Sequence, residues 1–177
     1  MRRVAAIGFA VATGIMAGIW SGAAAARDTR VAVFPFAFRD TSIEGEVGGV
    51  NPAETERLLR ITREAEDRIA ARGADLVDLS ALKDDVATLP APWNCLDCAA
   101  RLAGTAGADV SITGFVHKVS TLIQSISIIA CDARTGKMLG NASVSIRGNT
   151  DEAWKRGVDY ILDRGLLGEE VETALKQ

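Results

Sequence analysis

The 177-residue chain has one histidine, one tyrosine, three cysteines and four prolines. A single imidazole leaves little material for acid–base chemistry near neutral pH. There is no basic surplus: 20 Lys and Arg stand against 23 Asp and Glu, a formal charge of −3. With a pI of about 5.2, bulk charge excludes a basic nucleic-acid binder. No G-x-x-x-x-G-K-[ST] phosphate loop and no D-x-D-x-D-G calcium loop occurs. Cys98 is followed by Ala99 rather than His, which excludes c-type haem attachment at that pair. Beyond residue 26 no hydrophobic run reaches membrane length. What remains is an ordinary globular composition, 48% apolar and 24% charged. That balance excludes a disordered acidic tail and a collagen-like chain.

The first 26 residues read as an export signal. Arg2 and Arg3 form a positive start, and Val4 to Ala26 carry no charge. The run closes on Ala23-Ala24-Ala25-Ala26, an A-x-A-like cleavage site, so cleavage is expected after Ala26. The alternative is an uncleaved N-terminal membrane anchor. No cysteine lies near the site, which argues against lipid attachment; the first is Cys95. Residues 27–177 are then expected to be periplasmic, with no stable membrane span, and to form one domain with a sizeable core.

Arg30 to Phe38 is a β-branched and aromatic run, a strand buried on both faces, with Pro35 marking a bulge or an unpaired position. Residues 39–51 read as loop. Pro52 opens a helix to about Arg72, striped by Leu58, Ile61, Ala65 and Ile69. The Glu54, Glu56, Arg57, Arg60, Arg63 and Glu64 charges read as a solvated helix face. Asp75 to Leu79 is a short strand, and residues 80–94 are irregular. Asn94 can cap a helix from about Cys95 to Ala106. Val110–Ser120, Leu122–Asp132 and Met138–Arg147 read as strands, the last two joined by the Arg134–Lys137 turn. Asn149 or Thr150 caps a final helix striped by Trp154, Val158, Ile161 and Leu162. The charged tail after about residue 168 is expected to fray. The order strand-helix-strand-helix-strand-strand-strand-helix predicts one α/β domain, a mixed four- to five-stranded sheet with helices packed on it.

Three segments carry a resemblance. Arg30-Val-Ala-Val-Phe-Pro-Phe36, Ala108-Asp-Val-Ser-Ile-Thr-Gly114 and Asp132-Ala-Arg-Thr-Gly-Lys137 resemble, in the same order, segments of the TolB N-terminal domain and the curli-secretion lipoproteins. Those relatives work in the envelope by binding partners, so the resemblance implies an α/β fold and a non-enzymatic role. Along nearly the whole exported chain it is also similar to an uncharacterised family of small exported proteobacterial proteins. Members share the R-V-A-V-F-P-F opening, a C-x-x-C segment and the Arg147–Trp154 helix start. They are often encoded beside periplasmic quinoprotein alcohol dehydrogenases, which implies an accessory role in such a system.

Cys95-Leu-Asp-Cys98 is the most specific local pattern. In an oxidising compartment it reads as a structural disulfide. A redox pair is the alternative, since Cys95 is expected at a helix N-terminus where a thiolate is stabilised. Asp97 opposes a thiolate, and a zinc site would need more ligands than Cys131 and His117 offer on strands. Cys131 reads as a buried small hydrophobe, with pairing between chains as the alternative, and His117 as a surface or hydrogen-bonded residue rather than a base. The candidate partner-binding residues are Trp93, in an irregular segment, and Asp40, Glu44 and Glu46, because loops on a rigid sheet carry binding. The overall expectation is a binding or accessory protein with an envelope protein as partner. No catalytic set, metal or cofactor is expected. A thiol–disulfide protein and, more weakly, a metal or cofactor carrier are the alternatives.

Overall fold

A computed structural model describes residues 28–164 and 167–174. The expected export signal and its cleavage site lie outside the described residues. The strands are β1 (Arg30–Val33), β2 (Ala37–Asp40), β3 (Asp75–Leu76), β4 (Val110–Lys118), β5 (Ile123–Asp132) and β6 (Met138–Arg147). The helices are α1 (Ile43–Gly48), α2 (Pro52–Ala70), α3 (Lys83–Thr88), α4 (Cys98–Thr105), α5 (Asp151–Asp163) and α6 (Glu169–Ala174). The sheet order is β3-β1-β4-β5-β6, and β2 pairs with β4 beyond the end of β1. β1 runs parallel to β3 and β4, and β2 parallel to β4. β4, β5 and β6 form an antiparallel meander.

The sheet has six strands rather than four or five because Pro35 divides the first one. The step from Val33 to Ala37 faces the shorter step from Ile112 to Phe115, so this side carries one extra residue. Pro35 has no N–H to contribute. The Phe36 amide turns away and donates to Thr62 Oγ1 of α2 at 3.0 Å. The Phe36 ring then lies on Gly114, where a Cβ would fall 2.6 Å from a ring carbon. The Phe-Pro-Phe run and the glycine of β4 are thus one packing device.

α2 and α5 cover one face. Asn51 caps α2 by accepting from the Ala53 amide, and Thr150 caps α5 by accepting from Ala153. Both predicted stripes are turned inward: Ile61, Ala65, Ile69, Trp154, Val158, Ile161 and Leu162 are buried against Ile112, Val116, Ile126 and Ile128. α4 and the segment before it cover part of the other face with Ala99 and Ala103. The charged tail holds α6, whose Val171 is buried; with Leu167 it occupies the space over Gly140 of β6. A hydrophobic residue every few positions docks this end despite its charge. Among the described residues no helix is long and apolar enough to cross a membrane.

Candidate interaction site

The segment expected as loop between residues 39 and 51 contains the end of β2 and all of α1. Asp40 accepts from the Ser42 amide at 2.8 Å and the Ser42 hydroxyl at 2.6 Å. Ser42 Oγ accepts in turn from the Gly45 amide, capping α1. A Cβ at residue 45 would fall 2.3 Å from the Asp40 carboxylate, so glycine is required in this first turn.

Asp40 is held in place from below. Lys118, at the end of β4, donates to Asp40 at 3.1 Å and to Glu54 at 2.9 Å. Lys118 is 5% exposed and Glu54 2%. Asn149 bridges onward: its amide nitrogen donates to Glu54, and its oxygen accepts from Arg57 at 2.6 Å. Arg57 also donates to Asp151 at 2.7 Å, and Arg60 pairs with the same carboxylate. Lys118, Arg57 and Arg60 are thus each paired with a carboxylate at the end of the sheet where β2, β4, α1, α2 and α5 meet.

Burying such ions costs several kcal/mol each, and only complete pairing offsets it. Burial alone would raise the Asp40 pKa, but the Ser42 hydrogen bonds and Lys118 outweigh it and hold the carboxyl below its usual range. Burial likewise pulls Lys118 down, and Glu54 and Asp40 outweigh it, pushing the ammonium up. The Arg57 hydrogen bond lowers Asp151. Neither Asp40 nor Lys118 exchanges a proton near neutral pH, so the pair is a structural clamp.

Above the clamp lies a cleft of about 640 Å³, lined by Phe38, Asp40, Gly45, Glu46, Val50 and Leu58. Among the polar residues of this end, large aliphatic side chains are exposed. Ile43, Val47 and Val50 are 77%, 84% and 86% exposed, and Val119, Leu122 and Ile123 of the β4–β5 hairpin are at least half exposed. Thr121 of the hairpin donates to Glu44 of α1 at 3.1 Å, joining the two groups into one tip. Glu44 is lowered by its own backbone amide and by Thr121, and Glu46 is exposed.

Asp40, Glu44 and Glu46 thus share this tip, Asp40 beneath and the two glutamates at the rim. Trp93 does not join them. It is half-buried on the opposite face, edge-on to Phe115 at 5.3 Å, with the Arg39 guanidinium 5.6 Å from its centroid. His117 Nε2 lies 2.9 Å from Thr41 Oγ1.

Two local expectations are corrected. Glu54 and Arg57 are buried rather than on a solvated face, because α5 brings Asn149 and Asp151 over them. Their phase could have shown it: Glu54 precedes Leu58 by one turn on the apolar stripe, and Lys118 continues the Ile112–Val116 alternation. In addition, α4 begins at Cys98 with Asp97 as its N-cap residue, so Cys98 rather than Cys95 stands at the helix start. Asn94 does not cap it; its amide closes a turn onto Ala91.

The Cys95 and Cys98 sulfurs are bonded to one another. Cys95 Sγ lies 3.3 Å from an Asp97 oxygen, and an Arg101 nitrogen 3.3 Å from Cys98 Sγ. The three side chains 95, 97 and 98 have metal-ligand proximity, within 4.8 Å, but sulfurs joined in a disulfide offer no thiolate. Cys131 is a buried free thiol, its pKa raised by burial and by Asp97.

Residues 29–166 match the family described as Protein of unknown function (DUF2380). The chain belongs to that family. No curated protein matches its sequence. Among solved structures it is similar to the lipoprotein GNA1162 from Neisseria meningitidis, at 16% identity and TM-score 0.47, over 70% of this chain and 83% of that one. It is similar to PelC from Paraburkholderia phytofirmans, solved as a dodecamer, at 14% identity and TM-score 0.49, over 80% and 90% of the two chains. For TolB from Acinetobacter baumannii the identity is 15% and the TM-score 0.44, over 80% of this chain and 30% of that one.

Proposed function

We propose that this is an exported, non-enzymatic envelope protein that recognises another envelope protein through the tip formed by α1 and the β4–β5 hairpin. The observation that carries the reading is the exposed aliphatic group Ile43, Val47, Val50, Val119, Leu122 and Ile123 beside an open cleft. Large aliphatic side chains exposed in one region, rather than singly, are a mark of interaction sites on soluble proteins. The charges beneath it are engaged with one another, which holds the tip in one geometry rather than supplying an acid or base. The charge-free stretch from Val4 to Ala26 supports export, and the Cys95–Cys98 bridge suits an oxidising compartment. A finer reading makes the partner a component of a periplasmic quinoprotein alcohol dehydrogenase system; it rests on the resemblance to small exported proteins encoded beside such enzymes.

Photo-crosslinking in the intact envelope tests both levels. A crosslinking residue at Val47 or Leu122 should give one discrete protein adduct, and the same residue at exposed Tyr160 of α5 should not. Equal labelling from Tyr160, or none from the tip, would sink the proposal. The identity of the adduct, dehydrogenase component or otherwise, decides the finer reading.

A second reading, thiol–disulfide exchange, draws on Cys98 at the start of α4 with Arg101 beside it, both of which favour a Cys98 thiolate. Measuring the reduction potential of the pair decides it. A value below about −300 mV marks a structural bridge.

A further inference from the structure

The two edges of the sheet differ. β3 is two residues long and carries Asp75, which faces Arg30 at 3.7 Å. β6 is ten residues long and has no charged residue or proline from Met138 to Ile146. Natural sheets blunt their edges with charge, proline or brevity, because a free edge templates a further strand. Among the described residues nothing pairs with the outer side of β6.

The backbone phase of that outer side follows from one bond. The Gly148 amide donates to the Leu122 carbonyl at 3.2 Å, just beyond the Ile123–Arg147 pair. Hydrogen-bonded pairs alternate along an antiparallel ladder. Ile146, Val144 and Ala142 therefore exchange bonds with β5, while the N–H and C=O groups of Asn141, Ser143 and Ser145 point outward. The register shift at Ala130/Cys131 lies beyond this stretch. Side chains are sorted as well. Ser143 Oγ contacts Ser127 Oγ at 3.0 Å on one face, and Ala142, Val144 and Ile146 join the main core on the other.

We propose that β6 pairs antiparallel with β6 of a second copy of this chain, about a two-fold axis at Ser143, to make one continuous sheet. The occupant follows from the pattern. In this register Ser143 meets Ser143, Asn141 meets Ser145, and Ala142 meets Val144, so each face stays uniform across the junction. Two-fold symmetry sets any charge near the axis close to its own copy, which is destabilising. β6 has no such charge, and its first, Arg147, meets Leu139. This inference does not rest on the tip, which uses other residues.

Sedimentation velocity and residue-resolved amide exchange of the full chain, purified in native form, test it. The expected mass is twice that of one chain, with exchange at Asn141, Ser143 and Ser145 slowed about tenfold or more relative to a monomeric variant. Ser143→Pro removes one outward amide and leaves the β5 bonds intact, a position where an edge tolerates proline. It should be a folded monomer. Ser143→Lys, which opposes like charges across the axis, should be monomeric too and covers the case in which proline disturbs the strand. A monomeric wild-type chain overturns the proposal, whether those amides exchange freely or are protected by a segment of the same chain. A dimer that survives both substitutions overturns it as well.

Discussion

On one face of the sheet, Trp154, Ile161 and Leu162 of α5 and Ile61 and Ile69 of α2 meet a bed of isoleucines from β4 and β5. On the other, Ala32, Ala99, Ala103, Ala108 and Ala133 surround Phe34, and the larger Val77, Leu79, Val86, Leu89 and Leu102 are only half-buried around them. The first face is held by apolar area, and its two helices are laced by ion pairs: Arg68 to Glu64, Asp159 and Asp163, and Lys155 to Glu64 and Asp159. The second is held by closeness. A Cβ on Gly104 of α4 would fall 2.7 Å from the Ala133 carbonyl oxygen, so the helix rests almost on the backbone. Dispersion falls steeply with distance, so small side chains suffice only where backbones approach this nearly. The first face should thus be sensitive to removal of atoms, and the second to their addition and to loss of its covalent staple.

The largest break is Trp154→Ala. This ring is fully buried, lies 5.7 Å from Phe38 and has the Arg57 guanidinium 5.1 Å from its centroid. Its loss should cost about 3–5 kcal/mol in denaturant unfolding. Replacing Cys95 and Cys98 together by serine should cost less, about 2 kcal/mol, because the loop they close is short. Gly104→Ala should destabilise by about 1 kcal/mol, since crowding of about 1–3 kcal/mol outweighs the helical gain of about 1. The same change at Gly48, with nothing within 4 Å, should not destabilise.

The ion pairs sharpen the comparison through pH. Hydrogen bonds from Lys155 and Arg68 lower Glu64 from 4.5 to about 2. A carboxylate with a depressed folded pKa contributes stability above its unfolded pKa and loses it as pH falls through the folded one. Acid titration between pH 4.5 and 2 should therefore weaken the wild-type protein more steeply than Glu64→Gln. The smallest effect is expected at Gln124. It is 1% exposed, its nitrogen reaches Thr121 O only at 3.5 Å, and its oxygen has no partner among the described residues. Gln124→Met should leave the Tm unchanged or raise it slightly, because an unpaired buried acceptor is removed.

Much of the first face was legible in the chain. The stripes of α2 and α5 and the alternation of β4 and β5 are period signals, and a period survives any tertiary context that buries one side. The tip was legible only in part. Asp40, Glu44 and Glu46 were visible as acids of a glycine-containing segment, but α1 was not, because a six-residue helix has too few turns to show a period. Lys118 and Glu54 left one signal, their phase with apolar neighbours, which points inward. The opposite charges that make such burial tolerable come from distant parts of the chain and show only in the fold.

By itself, then, the amino-acid sequence determined the long helices α2 and α5, the strands β4 to β6 and the apolar stripes they turn inward, because these depend on residues near one another along the chain. It also determined the break at Pro35, since a missing N–H is a local fact. Only the tertiary structure decided that Asp40, Lys118, Glu54, Asn149, Arg57, Arg60 and Asp151 meet in one cluster. Residues separated by up to about a hundred positions neutralise one another there, and buried charge is tolerable only when every partner arrives. The same assembly joined α1 to the β4–β5 hairpin and left six aliphatic side chains facing outward. Burial on one side of the sheet is a property of pattern; exposure at its tip is a property of where the chain folds back.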